Sequence, residues 1–206
     1  MSDDTSGLQL PAPWIDHPDR DWAFLVHMLL DEVIHQLDEA ALVLTLYEKA
    51  TAEEKVPVQG VYDVEPPDSA RRLRFLHAKS FVYALDATGQ LLRVLSGLAS
   101  LPDEARSCCA KFESAFGKLR DLRNTLQHIE DRLRGLGRRG APLPKPLIVL
   151  GAFRNGNFGA TTADGAYVEV KVSRATLRAA CKIIEVLLWS FGWIGPGNQA
   201  VRRAVE

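Results

Sequence analysis

The spacing of apolar residues changes twice along this chain, and those changes constrain its fold more than any other feature. From Asp21 to about Leu136 they recur at steps of three and four, the period of a helix that buries one stripe. After Pro146 the period falls to two, as in a half-buried strand. From Ser173 the helical period returns.

The first helical segment runs from Asp21 to about Thr51, carrying Trp22, Leu25, Val26, Leu29, Leu30, Val33, Leu37 and Leu44. The segment KVPVQGVYDVEPPDS is rich in breakers, so a loop is expected before a second helix over about 70–99, with Asp68 or Ser69 as its cap. SLPDEA supplies a turn and a helix start at Pro102 and Asp103. The third helix, over about 103–136, has the most regular seam: Leu119, Leu122, Leu126, Ile129, Leu133 and Leu136. Gly135, Gly137, Gly140 and three prolines end it. PLIVLGAF, NFGATT and AYVEVKV then predict three short strands joined at Asn155-Gly156 and Asp164-Gly165. A last helix, capped by Ser173, carries Trp189. The expected fold is mainly α: a four-helix up-down bundle with a small antiparallel β-meander, over 146–172, inserted before the last helix. The expected organisation is one domain over 1–206, with an N-terminal extension over 1–20 and a C-terminal tail over 196–206.

A net charge of −1 over 206 residues provides no global field for a polyanion, so nucleic-acid binding would need a local patch. The acidic, polar start lacks the features of a secretory signal, and IIEVLLWSFGWIG is too short and interrupted to span a bilayer. Cys108, Cys109 and Cys181 form no CxxC motif, and neither a disulfide framework, a zinc site nor a cofactor is expected. A cytoplasmic protein without a membrane partner is the expectation.

The stretch RDLRNTLQHIEDRLRG, Arg120 to Gly135, carries the candidate chemistry. With the leucine seam inward, Arg120, Asn124, Gln127, His128 and Asp131 project from the opposite side. Asn124 and His128 are neighbours on that face, while Arg123 and His128 diverge by roughly 140°. A site using both therefore calls for a second copy, with Arg123 of one chain over His128 of the other. Arg120, with Arg132, Arg134, Arg138 and Arg139 and then Lys145 beyond the motif, supplies a local basic patch for a phosphate backbone. A solvated helix face with weak surface pairs is the competing reading.

Arg123, Asn124 and His128 on the third helix of such a bundle resemble the signature of the HEPN superfamily, an arginine and a polar residue followed after a short spacer by histidine. The resemblance implies a homodimeric, metal-independent endoribonuclease of toxin or phage-defence type, with RNA as substrate and an antitoxin or regulatory protein as a further partner. It implies His128 as acid and base, Arg123 as the clamp on the phosphate and Asn124 as a positioning donor, leaving a 2′,3′-cyclic phosphate and a 5′-hydroxyl. One branch of that superfamily has a tyrosine two places after the histidine as a target of adenylylation; this chain has Glu130. The alternatives are a non-catalytic HEPN-like bundle that binds a nucleotide or a partner protein, and an unrelated all-α interaction module. The remaining histidines, His17, His27, His35 and His77, are expected to be packed or at the surface, since none has partners at metal-binding spacing.

Overall fold

The computed structural model describes residues 5–54, 68–143, 149 and 151–202. The described chain is mainly helical, with two small antiparallel sheets. Helix α1 (Arg20–Glu54) starts one residue before its apolar pattern, because Asp19 caps it: the carboxylate accepts the N–H groups of Asp21 and Trp22 at 3.0 Å each. It packs along α2 (Asp68–Ser96) through Val26, Leu30, Val33, Leu37 and Leu44, which meet Phe81, Leu85 and Leu92 in one core. Leu25 of the expected stripe is exposed, as are Leu73 and Leu76.

The third helical run departs most from expectation. Instead of one helix over 103–136 there are α3 (Asp103–Phe116), α4 (Leu119–Gln127) and α5 (Ile129–Leu133). The first break falls at Gly117, a poor residue for a helix interior. The second falls on His128, whose backbone (φ −108°, ψ 48°) leaves the helical region. Beyond it the chain turns into a return loop in which Leu136 bridges Pro142 and the Gly137 N–H donates to the Ala141 carbonyl at 2.6 Å. That loop seats against the meander: a Cβ on Gly137 would stand 2.4 Å from the Ala163 carbonyl oxygen, so only glycine permits the approach.

This second break re-phases the helical wheel. Leu119, Leu122 and Leu126 are buried as the seam predicts, but Leu133 is 68% exposed and Arg132 turns inward to 4%.

The meander comprises β2 (Ala152–Arg154), β3 (Asn157–Thr161) and β4 (Tyr167–Lys171), paired in that order. Asn155 and Gly156 make the tight turn with φ 50° and 78°, as their chemistry requires. Its placement differs from 146–172 at the front. β2 begins at Ala152, and Pro146, Leu147, Ile148 and Leu150 of PLIVLGAF lie outside the described residues. Val149 holds to the far end of β3, its carbonyl accepting the Thr161 N–H at 2.8 Å.

Helix α6 (Arg174–Trp189) starts at Ser173, whose hydroxyl accepts the Thr176 N–H at 3.3 Å, and packs on α3 and α1. The second sheet was not expected. It joins β1 (Trp14–Ile15), β5 (Trp193–Ile194) and β6 (Ala200–Val201) in the order β1-β5-β6. Residues expected to be an extension and a tail thus close on Trp193, which is 1% exposed and donates its indole N–H to the Leu188 carbonyl. Among the described residues, no helix is long and apolar enough to cross a membrane.

Candidate functional site: a groove at a helix break

The sequence motif is split between two environments. Arg123 points from α4 toward α2, where its Nε donates to Asp86 Oδ2 at 2.9 Å and its Nη1 to Gln127 Oε1 at 2.6 Å. The Asp86 side chain is 3% exposed and accepts a further hydrogen bond from the Gln90 amide at 2.6 Å. Arg93, 3.9 Å from the other oxygen of Asp86, donates to Glu113 at 2.8 Å and so extends the network to α3. A buried carboxylate is tolerable only with such partners, and Arg123 is its closest cation among the described residues. In this chain Arg123 is a structural pin.

His128 lies elsewhere. Its side chain is 57% exposed, with Nδ1 3.8 Å from Glu130 Oε1. The break places it in an open groove of about 730 Å³, where it is joined by Asn124, Arg120, Arg132 and Arg139. Asn124 arrives from the preceding helical turn, as the wheel predicts, and the N–H of His128 donates to its carbonyl at 3.0 Å. Arg139 comes from the return loop, with a left-handed backbone at φ 54°. Gly137 and Ala163 form the wall where loop and meander meet.

The acidic members of the groove are Glu113, Asp121 and Asp131. Glu113 is paired with Arg93, and Asp131 lies 3.9 Å from Arg134. Arg120 and Arg139 have no carboxylate within ion-pair distance among the described residues.

The predicted residues therefore divide. Arg120, Asn124, His128, Arg132 and Arg139 converge; Arg123 does not join them. Arg132 is not the exposed phosphate tracker expected from a basic loop, because the re-phased wheel buries it. Its Nη1 donates to the Leu136 carbonyl, and its buried Nε has no partner among the described residues. Arg134 is exposed and does not line the groove. The Arg138 side chain and Lys145 lie outside the described residues.

Asp86 and Glu113 were missed. Asp86 carried a readable signal, as an acid inside the apolar stripe of Phe81, Val82, Leu85 and Leu92, where burial demands a cation from somewhere. Glu113 had none, being one acid among several on an exposed face.

One atom each of His128, Glu130 and Asp131 fall within 4.8 Å of one another, a spacing open to a metal ion. None of the three is buried, and such exposed trios are common without an ion. The other histidines serve packing or the surface. His17 stacks on Trp22 with ring centroids 4.1 Å apart, His27 meets Trp193 edge-on at 6.4 Å, burial lowers the His77 pKa, and His35 is exposed.

A second groove, of about 570 Å³, lies between residues 5–9 and α6, lined by Arg178, Cys181, Lys182 and Trp189 among others. No residue of the motif reaches it. No family model, curated protein or solved structure matches this chain.

Proposed function

We propose that the groove at the α4–α5 break is the site of a metal-independent endoribonuclease of the HEPN kind, on a four-helix bundle formed by α1, α2, the α3–α4 run and α6. One observation carries the reading: His128, an accessible imidazole able to pass a proton, shares a groove with Asn124, Arg120 and Arg139. His128 takes the proton of the 2′-hydroxyl and returns one to the leaving 5′-oxygen, while the arginine forks hold the phosphate. Arg123 has a changed role here, positioning α4 through Asp86 rather than clamping the phosphate. Pairing of two copies belongs to the same proposal, with the exposed Leu133 as an apolar group that such a pairing would cover.

A specific observation favours a second reading. The bond between Arg123 and Asp86 removes the motif arginine from the reacting centre of its own chain. The groove would then bind a nucleotide without cutting RNA.

Incubation with tRNA, mRNA and structured RNAs in EDTA separates the two. The nuclease reading expects cleavage to 2′,3′-cyclic phosphate ends, lost on His128→Ala by a factor of about 10² or more. Intact RNA that is nonetheless bound by the wild type would establish the second reading instead.

A further inference from the structure

Arg132 is the one group in the groove that packing alone leaves unaccounted for. It is 4% exposed, yet among the described residues no carboxylate lies within ion-pair distance of it. Its hydrogen bond to the Leu136 carbonyl satisfies one donor and leaves Nε orphaned. A lysine in such a place could shed its proton; a guanidinium stays charged. Burying that charge without an anion is unfavourable, and arginines are almost never fully buried unless paired.

The surroundings tell what is missing. Arg132 lines the groove, so the space beside it is open to a ligand. Arg120 and Arg139, which share that space, also lack carboxylate partners among the described residues, whereas Glu113 and Asp131 are engaged by Arg93 and Arg134. Asp121, the remaining acid, is not free either. The groove thus holds three arginines whose charges no carboxylate meets among the described residues.

We infer that Arg132 forms the floor of a phosphate-binding subsite, with Arg120 and Arg139 on its walls and Asn124 as a neutral donor. The ligand is a tetrahedral phosphate oxyanion, presented either by the backbone of RNA or by a terminal phosphate such as that of a nucleotide. This deepens the ribonuclease reading by naming what the groove holds, and it rests on a residue other than His128.

The test measures melting temperature and calorimetric binding with the full chain at constant ionic strength. The probes are inorganic phosphate, a nucleoside 5′-monophosphate, and one RNA oligonucleotide with a 5′-hydroxyl or a 5′-phosphate. Wild type should show a saturable rise in melting temperature. Arg132→Met should weaken binding about tenfold or more, the scale of a lost charge-assisted hydrogen bond. Without phosphate it should melt no lower than wild type, because an uncompensated charge has gone. Arg132→Lys should recover part of the binding.

Equal affinity for the two oligonucleotides, above that for the mononucleotide, assigns the subsite to backbone phosphate. Preference for the phosphorylated end or the mononucleotide assigns it to a terminal one. The inference fails if no probe gives a saturable response, or if Arg132→Met binds as wild type does. It also fails if Arg132→Met melts well below wild type in phosphate-free buffer, since Arg132 would then be a brace for the Leu136 carbonyl. Phosphate binding that depends on Arg132 in a protein that leaves RNA intact would sink the nuclease and keep the subsite. RNA cleavage unaffected by Arg132→Met would do the reverse.

Discussion

Arg123 and Arg132 stand on the same helical run, and the fold treats them in opposite ways. Arg123 leans onto a carboxylate and an amide within one chain, its donors spent on Asp86 and Gln127. Arg132 is more deeply buried and finds a single backbone carbonyl. The first arrangement holds α4 to α2 and completes itself. The second leaves Nε without a partner among the described residues. Residue type and helical position did not decide which arginine would be structural; the presence of a buried acid on the facing helix did.

The largest expected effect tests the satisfied half of this comparison. Asp86→Ala should cost about 4 kcal/mol in urea unfolding, because it leaves the Arg123 guanidinium partly buried without a counter-charge. A double-mutant cycle with Arg123→Ala should return most of that loss as coupling. A cost under about 1 kcal/mol would mean that the network does not anchor α4.

Next comes the re-phased wheel. Leu122→Ala, in the part of the seam that stays buried, should cost about 3 kcal/mol, while Leu133→Ala should stay within about 0.5 kcal/mol. Similar losses at both positions would restore a continuous third helix and with it an exposed Arg132.

His128→Ala sharpens the open half. It should abolish RNA cleavage while shifting stability by less than about 0.5 kcal/mol, since the side chain is more than half exposed. Loss of activity together with a collapsed melting curve would show that His128 serves the break rather than the chemistry.

The smallest effect concerns two thiols kept from charge, Cys109 buried and Cys181 half-buried. Burial pushes the thiols of Cys109 and Cys181 from 9.0 up to about 11. Between those values the unfolded chain gives up its thiol protons and the folded chain keeps them, so stability falls as pH rises from about 9 to about 11. Unfolding midpoints at pH 8 and pH 10 should therefore draw apart more in wild type than in the Cys109→Ala/Cys181→Ala double variant. An equal fall in both would show that these thiols do not govern it.

What was legible in the sequence followed from local chemistry. The stripes of α1 and α2, the Ser173 cap and the Asn155-Gly156 turn each depend on neighbours a few positions apart. Asn124 and His128 were placed correctly on one face for the same reason. The break at His128 was not legible, because the periodicity of RNTLQHIEDRL continues through it. Beyond it the return loop docks on Ala163, a contact made far along the chain that no local spacing carries. The partner of Arg123 was hidden likewise, since Asp86 belongs to a different helix. Two-residue strands such as Trp14–Ile15 carry too little pattern to be recognised before their partners are known.

That small sheet decides how the molecule would respond to force. β1 and β6 flank β5 on either side, so tension drawn through residue 202 reaches β6 before any long helix. On the N-terminal side the load first meets Ser6, whose N–H and hydroxyl both donate to Asp38 on α1 at 2.7 Å. Drawn from residue 202, the pairing of Ala200 and Val201 with Ile194 and Trp193 would part before the core around Leu30, Leu37 and Leu85 carries load.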